Sequence, residues 1–167
     1  LPIFGVLWAM TNLVVGFFGR AAVKIESYLG IRKTLLLISF LPILGYGGMS
    51  FFSYYYSQTP LLAFTFGGLL SCLCLQANRG LGHVIFRDAF NARTSSSIRA
   101  TANSFLALGS RFLFIFWGPA LGIMIDDYGH TIAYAVMAFV YIFNIFFFFS
   151  PLLMEGQKLS YREESSS

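Results

Sequence analysis

Charged side chains are scarce in this sequence. Lys, Arg, Asp and Glu make up 11% of the 167 residues, with only seven acids against eleven Lys and Arg. A soluble domain usually carries roughly a quarter of such residues, so this chain cannot cover a water-facing surface well. Apolar residues take their place, since 57% of the chain is hydrophobic, 19% is aromatic and the mean hydropathy is +0.71. The composition predicts an integral membrane protein.

Residues that carry chemistry are also few. The two cysteines, Cys72 and Cys74, lie in one apolar run and offer too few ligands for a disulfide framework or a zinc site. His83 and His130 have no partner ligand nearby in sequence, and no HExxH motif, paired carboxylates or nucleophile–base set occurs. No block of Lys and Arg is dense enough for a nucleic-acid interface. We therefore predict no enzyme activity, no cofactor, no metal site and no nucleic-acid partner.

Long apolar runs are what the sequence does contain. A membrane-spanning helix needs about 20 mostly apolar residues, and the runs lack the period-two alternation of a membrane barrel. The predicted fold is all-α, a polytopic membrane helix bundle over residues 1–154, followed by a disordered cytoplasmic tail at 155–167. Its five predicted spans are 1–19, 34–54, 61–78, 100–125 and 131–150. Because the chain opens inside an apolar run without a basic segment, we expect no signal peptide and a fragment of a longer protein.

The connections between these spans alternate in charge. Basic residues prevail in 20–33 and in 79–99, and the tail holds Lys158 and Arg162, whereas 55–60 is uncharged and 126–130 holds two acids without Lys or Arg. Cytoplasmic connections carry the excess of Lys and Arg in membrane proteins. The pattern predicts a multi-pass protein of the cell (inner) membrane with its C-terminus in the cytoplasm and residue 1 outside.

One permanent charge lies deep in a predicted span. Arg111 falls near the middle of 100–125 and shares a helical face with Asn103 and Ala107, since residues four apart lie on one face. An unpaired charge there costs at least about 2.5–3.5 kcal/mol, and none of the five spans holds an acid. Arg111 therefore faces either a water-filled cavity that takes a substrate, or a partner on another helix.

The same span holds the sequence Gly118-Pro119-x-x-Gly122. Proline removes a backbone donor and kinks a helix, and small residues let a neighbouring helix approach closely. We predict a kink and a close helix contact at Gly118, Pro119 and Gly122.

Two segments resemble the major facilitator superfamily of transporters. The loop with Glu26, Gly30, Arg32 and Lys33, followed by TLLL, resembles the cytoplasmic loop between the eighth and ninth helices of that family. Segment 87–122, with RDAFN, IRATANSF, GSRF and GPALG, resembles the region between the tenth and eleventh helices of bacterial efflux-like members. The matching positions there are Asn91, Arg99, Ala100, Thr101, Ser104, Arg111, Gly118, Pro119 and Gly122.

The resemblance implies spans eight to twelve of a twelve-helix secondary transporter that moves a small molecule by alternating access. Asn12 and Gln76 then lie on cavity-lining spans, which makes Asn12, Gln76, Asn103 and Arg111 the candidate substrate contacts. Glu26, Gly30, Arg32 and Lys33 become a candidate conformational switch. The implied partners are the lipid bilayer, an N-terminal half of the same chain, an unknown small molecule and H⁺ or Na⁺ as a coupling ion. The alternative is a non-transporting membrane scaffold or assembly protein built from half a transporter fold.

Overall fold

The computed structural model describes residues 2–149, apart from the side chains of residues 2–4, 93, 148 and 149. The predicted tail at 155–167 lies outside the described residues. The described chain is all-α, as predicted: α1 (Pro2–Leu29), α2 (Ile31–Gln58), α3 (Leu62–Arg93) and α4 (Arg99–Asn144), which continues as a short π-helix (Ile145–Phe149).

Three of these helices are long and apolar enough to cross a membrane, judged by length and composition. They are α1 from Gly5 to Leu29, α2 over Ile31–Gln58, and α4 with its continuation over Arg99–Phe147. The prediction of several membrane helices agrees with this finding. The prediction of five separate spans was wrong for the described residues, where four α-helices supply three candidate spans.

The first difference concerns α3, which does not qualify as a candidate span because Gln76, Asn78 and Arg79 interrupt its apolar run. Residues 79–93, predicted as part of the connection 79–99 between two spans, instead extend α3 without a break. Leu81 and Ile85 lie four residues apart on one face and are buried with Ala22 of α1 and Ile38 of α2. Burial of this face against two helices explains why the segment continues α3.

The second difference concerns α4, which joins the predicted spans 100–125 and 131–150 into one helix of 46 residues. Its only non-helical backbone is at Gly129, with φ 81° and ψ 167°, a conformation that glycine adopts without a side-chain clash. We call residues 99–128 the free arm and residues 130–144 the packed arm. Most side chains of the free arm are exposed, including Phe105, Leu113 and Phe114 at 70–75%.

The packed arm lies against α2. The Ser50 hydroxyl donates to the Thr131 carbonyl oxygen at 2.8 Å, and the Thr131 hydroxyl donates to Ser53 Oγ at 3.1 Å. Further along, Tyr46 stacks on Tyr141 with ring centroids 5.7 Å apart. These contacts fix the packed arm in the bundle and leave the free arm on the other side of Gly129.

The connection predicted at 20–33 is a single residue. Helix α1 continues to Leu29 and α2 begins at Ile31, with Gly30 between them at φ 77°. The Thr34 hydroxyl donates to the Gly30 carbonyl oxygen at 2.9 Å, which secures the start of α2. The loop was predicted too long because its charges were interpreted as a loop signal, whereas exposed helix surface carries charge equally well.

Candidate functional site

A cleft of about 790 Å³ separates the C-terminal half of α3 from the free arm of α4. Its polar lining consists of Asn78, Arg79, His83, Arg87, Asn103 and Ser110. Its apolar lining consists of Ile38, Gly82, Phe86, Phe90, Leu106 and Ala107. Binding sites for small molecules typically have a volume of about 300–1,000 Å³ and combine an apolar lining with a few polar groups. The cleft has both properties.

Three basic side chains follow one face of α3 along this cleft. Arg79, His83 and Arg87 are spaced four residues apart, so helix geometry places them in one row, which we call the basic stripe. Each of the three is exposed. None of them forms a hydrogen bond or ion pair with another described residue, and no acid lines the cleft. The wall formed by α3 therefore presents uncompensated basic groups to whatever enters.

An amide pair joins the two walls beyond Arg87. The Asn103 Nδ2 group on the free arm donates to Asn91 Oδ1 on α3 at 2.9 Å, and both residues are partly buried. Asn91 is four residues beyond Arg87 and extends the same row. The pair holds the start of the free arm against the end of α3.

Asn78 lies near the other end of the basic stripe. Among the described residues its Oδ1 atom is buried without a hydrogen-bond donor. Asn78 also lines a second cleft of about 230 Å³ together with Ser39, Pro42 and Tyr141. A buried acceptor without a donor costs about 1–3 kcal/mol, so this amide gains free energy from any donor that reaches it.

Asn103 and Arg111, the two predicted site residues on α4, occupy different surroundings. Asn103 and Ala107, members of the predicted polar row, line the cleft. Arg111, the next member, is exposed on the free arm next to the lining residue Ser110 but does not itself line the cleft. It forms no hydrogen bond or ion pair with another described residue. The role of Arg111 stays a prediction.

Asn12 and Gln76 are not brought to this cleft. The Asn12 amide donates to the Trp8 carbonyl oxygen of its own helix at 2.8 Å and is exposed on α1. Gln76 is half-buried on α3, and it lines neither of the two clefts described above. Both residues stay predicted substrate contacts.

The predicted conformational switch lies at the junction of α1 and α2. Gly30 donates its backbone N–H to the Glu26 carbonyl oxygen at 2.8 Å, while Arg32 and Lys33 lie exposed in the first turn of α2. The glycine thus separates the two helices, and the switching role of the four residues stays a prediction.

The Gly118-Pro119-x-x-Gly122 sequence lies inside the free arm. The helix continues through Pro119, and the break in backbone geometry falls at Gly129 instead. A Cβ atom added to Gly118 would meet only the Phe114 ring of the same helix, from 3.4 Å, and one added to Gly122 would meet nothing within 4 Å. The predicted kink and helix contact at these residues stay a prediction.

The basic stripe is the feature that sequence reasoning missed. Its signal was the four-residue spacing of Arg79, His83 and Arg87, accompanied by Leu81 and Ile85 at the same spacing. This spacing has meaning only on a helix, and the segment was interpreted as a loop because of its charges. Among residues 2–149, no group of three or more His, Cys, Asp or Glu could hold a metal ion.

The chain was compared with protein families, curated proteins and solved structures. It matches no family model, no curated protein and no solved structure. The resemblance to major facilitator transporters therefore rests on the sequence motifs alone.

Proposed function

We propose that this chain is part of a secondary transporter of the major facilitator type, which moves a small molecule across the cell membrane by alternating access. The observation that carries the proposal is the polar-lined cleft of about 790 Å³ between α3 and the free arm. Two long helices that place polar groups on facing sides of a cleft offer binding positions to a solute.

The surroundings of the cleft support this proposal. Polar and ionisable residues on membrane helices usually face the bundle interior or a water-filled cavity, because lipid does not solvate them. On the free arm the polar residues Asn103 and Ser110 face the cleft, whereas Phe105, Leu113 and Phe114 are exposed outside it. Asn103 and Ser110 thus share the cleft-facing side of the arm, and the exposed apolar side chains are free for lipid or for further helices.

The length of α4 and its break at Gly129 bear on how this helix meets the membrane. At about 1.5 Å per residue, the 46 residues of α4 would span about 69 Å if straight, more than twice the roughly 30 Å hydrocarbon core. The break at Gly129 lies next to the acidic pair Asp126 and Asp127, where an external turn is expected. Coupling to H⁺ or Na⁺ would require an acid outside the five long apolar runs of the sequence, because none of these runs contains Asp or Glu.

Two-sided access to the cleft tests the proposal. Ser110 is replaced by Cys after Cys72 and Cys74, both free and half-buried, are replaced by Ser. A membrane-impermeant maleimide is then added to right-side-out and to inside-out vesicles. Alternating access predicts that Cys at position 110 reacts from both sides, because the cleft opens to each side in turn.

Leu113 provides the matched control, since it lies on the same arm, is 70% exposed and does not line the cleft. Leu113→Cys is expected to react from neither side because lipid or neighbouring helices cover it. If the Ser110→Cys variant reacts from one side only, alternating access is excluded and the scaffold alternative is favoured.

A further inference from the structure

We infer that the cleft binds an amphiphilic anion, with its phosphate or carboxylate group on the basic stripe and its apolar body on Phe86, Phe90 and Leu106. The inference rests on the proposed function and names the substrate class of the same site. Lipid headgroups and soluble organic anions share this chemistry, and the experiment below separates these two sources.

Charge is the first argument. Arg79 and Arg87 lie about 12 Å apart along the helix axis, with His83 between them. The flexible arginine side chains can therefore approach one anionic group from both ends. A guanidinium binds phosphate or carboxylate through two parallel hydrogen bonds, which gives both geometry and strength. Because neither arginine pairs with a described acid, an anion that binds there displaces no existing ion pair.

The position of these charges is the second argument. Basic residues at a cytoplasmic helix end follow from membrane topology alone, but topology does not require them to share a helical face. Here all three members of the basic stripe line the same cleft, whereas Asp88, the acid next to Arg87, does not. On this stretch of α3 the basic stripe lines the cleft and the acid does not.

The apolar lining is the third argument. Phe86 and Phe90 lie on the same stretch of α3 as the stripe, and Leu106 faces them from the free arm. Inorganic phosphate would leave this surface in contact with water. A ligand with a hydrocarbon or aromatic body covers the apolar lining, and burial of apolar surface contributes about 25 cal/mol per Å².

A binding measurement on the purified chain tests the inference. The protein in a neutral maltoside detergent is titrated with dodecyl phosphate, with dodecyltrimethylammonium and with inorganic phosphate in an isothermal calorimeter. We expect dodecyl phosphate to bind at least about tenfold more tightly than either comparison ligand. A tenfold difference in affinity corresponds to about 1.4 kcal/mol of binding free energy. Equal or tighter binding of the cationic detergent would overturn the inference.

Paired substitutions locate the site. Arg79→Gln with Arg87→Gln is expected to weaken dodecyl phosphate binding by roughly tenfold or more, because two charge-assisted hydrogen bonds are removed. Arg20→Gln with Lys24→Gln removes the same charge from exposed positions on α1 and is expected to leave the affinity unchanged. Equal affinities in the two double variants would overturn the inference.

Ala107→Trp provides an independent test if the arginine variant fails to fold. This change fills the cleft from the free arm without altering any charge. We expect it to abolish dodecyl phosphate binding, and full binding would overturn the inference.

Two further measurements complete the design. Phosphatidylglycerol that competes with dodecyl phosphate in nanodiscs identifies a lipid headgroup as the source of the anion, and the absence of competition identifies a soluble amphiphile. The binding measurement does not depend on vesicle sidedness. If dodecyl phosphate binds but position 110 is not labelled from both sides, the anion site is supported and transport is rejected. If position 110 is labelled from both sides but dodecyl phosphate does not bind, transport is supported and the anion site is rejected.

Discussion

At the scale of single residues, most Ser and Thr hydroxyls on the described helices bond to their own helix, and so does the Asn12 amide. Thr11, Asn12, Ser104 and Ser110 each donate to a backbone carbonyl oxygen three or four residues earlier. Such local bonds satisfy a polar group without joining two helices. A polar side chain in one of these spans is therefore not evidence for a functional contact by itself. Asn103 differs because its partner lies on another helix.

The hydrogen bond between Asn103 and Asn91 is expected to contribute measurably to stability. Replacing both residues by Ala in a double-mutant cycle should give a coupling energy of about 0.5–1.5 kcal/mol, since this range covers interhelical hydrogen bonds in membranes and in soluble proteins. The measurement is the free energy of unfolding in mixed micelles of a denaturing and a mild detergent.

Ser104 provides the comparison, because it bonds only to Ala100 within its own helix. Combining Ser104→Ala with Asn91→Ala should give no coupling. A coupling energy near zero for Asn91 with Asn103 would show that this bond does not hold the free arm.

At the scale of the elements, the geometry of α4 is decided by a glycine rather than by its proline. Pro119 sits inside a continuous helix, whereas Gly129 adopts φ 81° and ψ 167°. Other residues reach this region only at a cost of about 1–3 kcal/mol. The backbone direction of the free arm thus depends on Gly129, which the sequence DDYGH indicates only weakly as a break.

We expect Gly129→Ala to lower the free energy of unfolding by about 1–3 kcal/mol, because the added Cβ strains the backbone. Crowding does not contribute, since that Cβ would meet nothing within 4 Å. Thermal unfolding in detergent, followed by circular dichroism, measures the change.

Gly122→Ala is the matched control, because Gly122 also has open space around its Cβ but has helical backbone geometry. There alanine should stabilise the helix by roughly 0.5–1 kcal/mol. If both variants shift stability in the same direction, Gly129 is not the strained break in α4.

At the scale of the whole molecule, α3 occupies the middle of the bundle. It packs against α1 and α2, and its residues Leu81 and Ile85 form the buried core with Ala22 and Ile38. Close packing is possible because Gly80 faces α1, where an added Cβ would lie 2.5 Å from the Val15 carbonyl oxygen. Helix α3, which is not apolar enough to qualify as a candidate span, is thus covered by α1 and α2, which both qualify.

This position predicts that α3 crosses the membrane with α1 and α2 as its cover. At about 1.5 Å per residue its 32 residues reach about 48 Å, longer than the roughly 30 Å hydrocarbon core. In the background without native cysteines, Ser57→Cys and Ser96→Cys should react with an impermeant maleimide from opposite sides of the membrane.

Ser27→Cys, next to the α1–α2 junction, should react from the same side as Ser96→Cys, since both lie in basic segments. Labelling of positions 57 and 96 from one common side would show that α3 does not cross.

The sequence by itself determined the fold class and the location of most helical residues, because composition and long apolar runs depend on local chemistry alone. Where its predictions were wrong, at 20–33 and at 79–93, charges and short polar runs were interpreted as loops. An exposed or cleft-facing helix surface carries the same residues. Asn103 was chosen as a candidate from its spacing, whereas the row of Arg79, His83 and Arg87 was missed because their segment was predicted as a connection between spans.

Only the tertiary structure decided that residues 79–93 are helical and face a cleft. Burial of Leu81 and Ile85 against α1 and α2 stabilises that part of α3, and this burial involves residues far apart in sequence. On this helix the four-residue spacing places three basic residues in one row, and the packing leaves that row opposite the free arm. Spacing alone cannot determine that the row lines a cleft, because this depends on which elements pack together and which face remains uncovered.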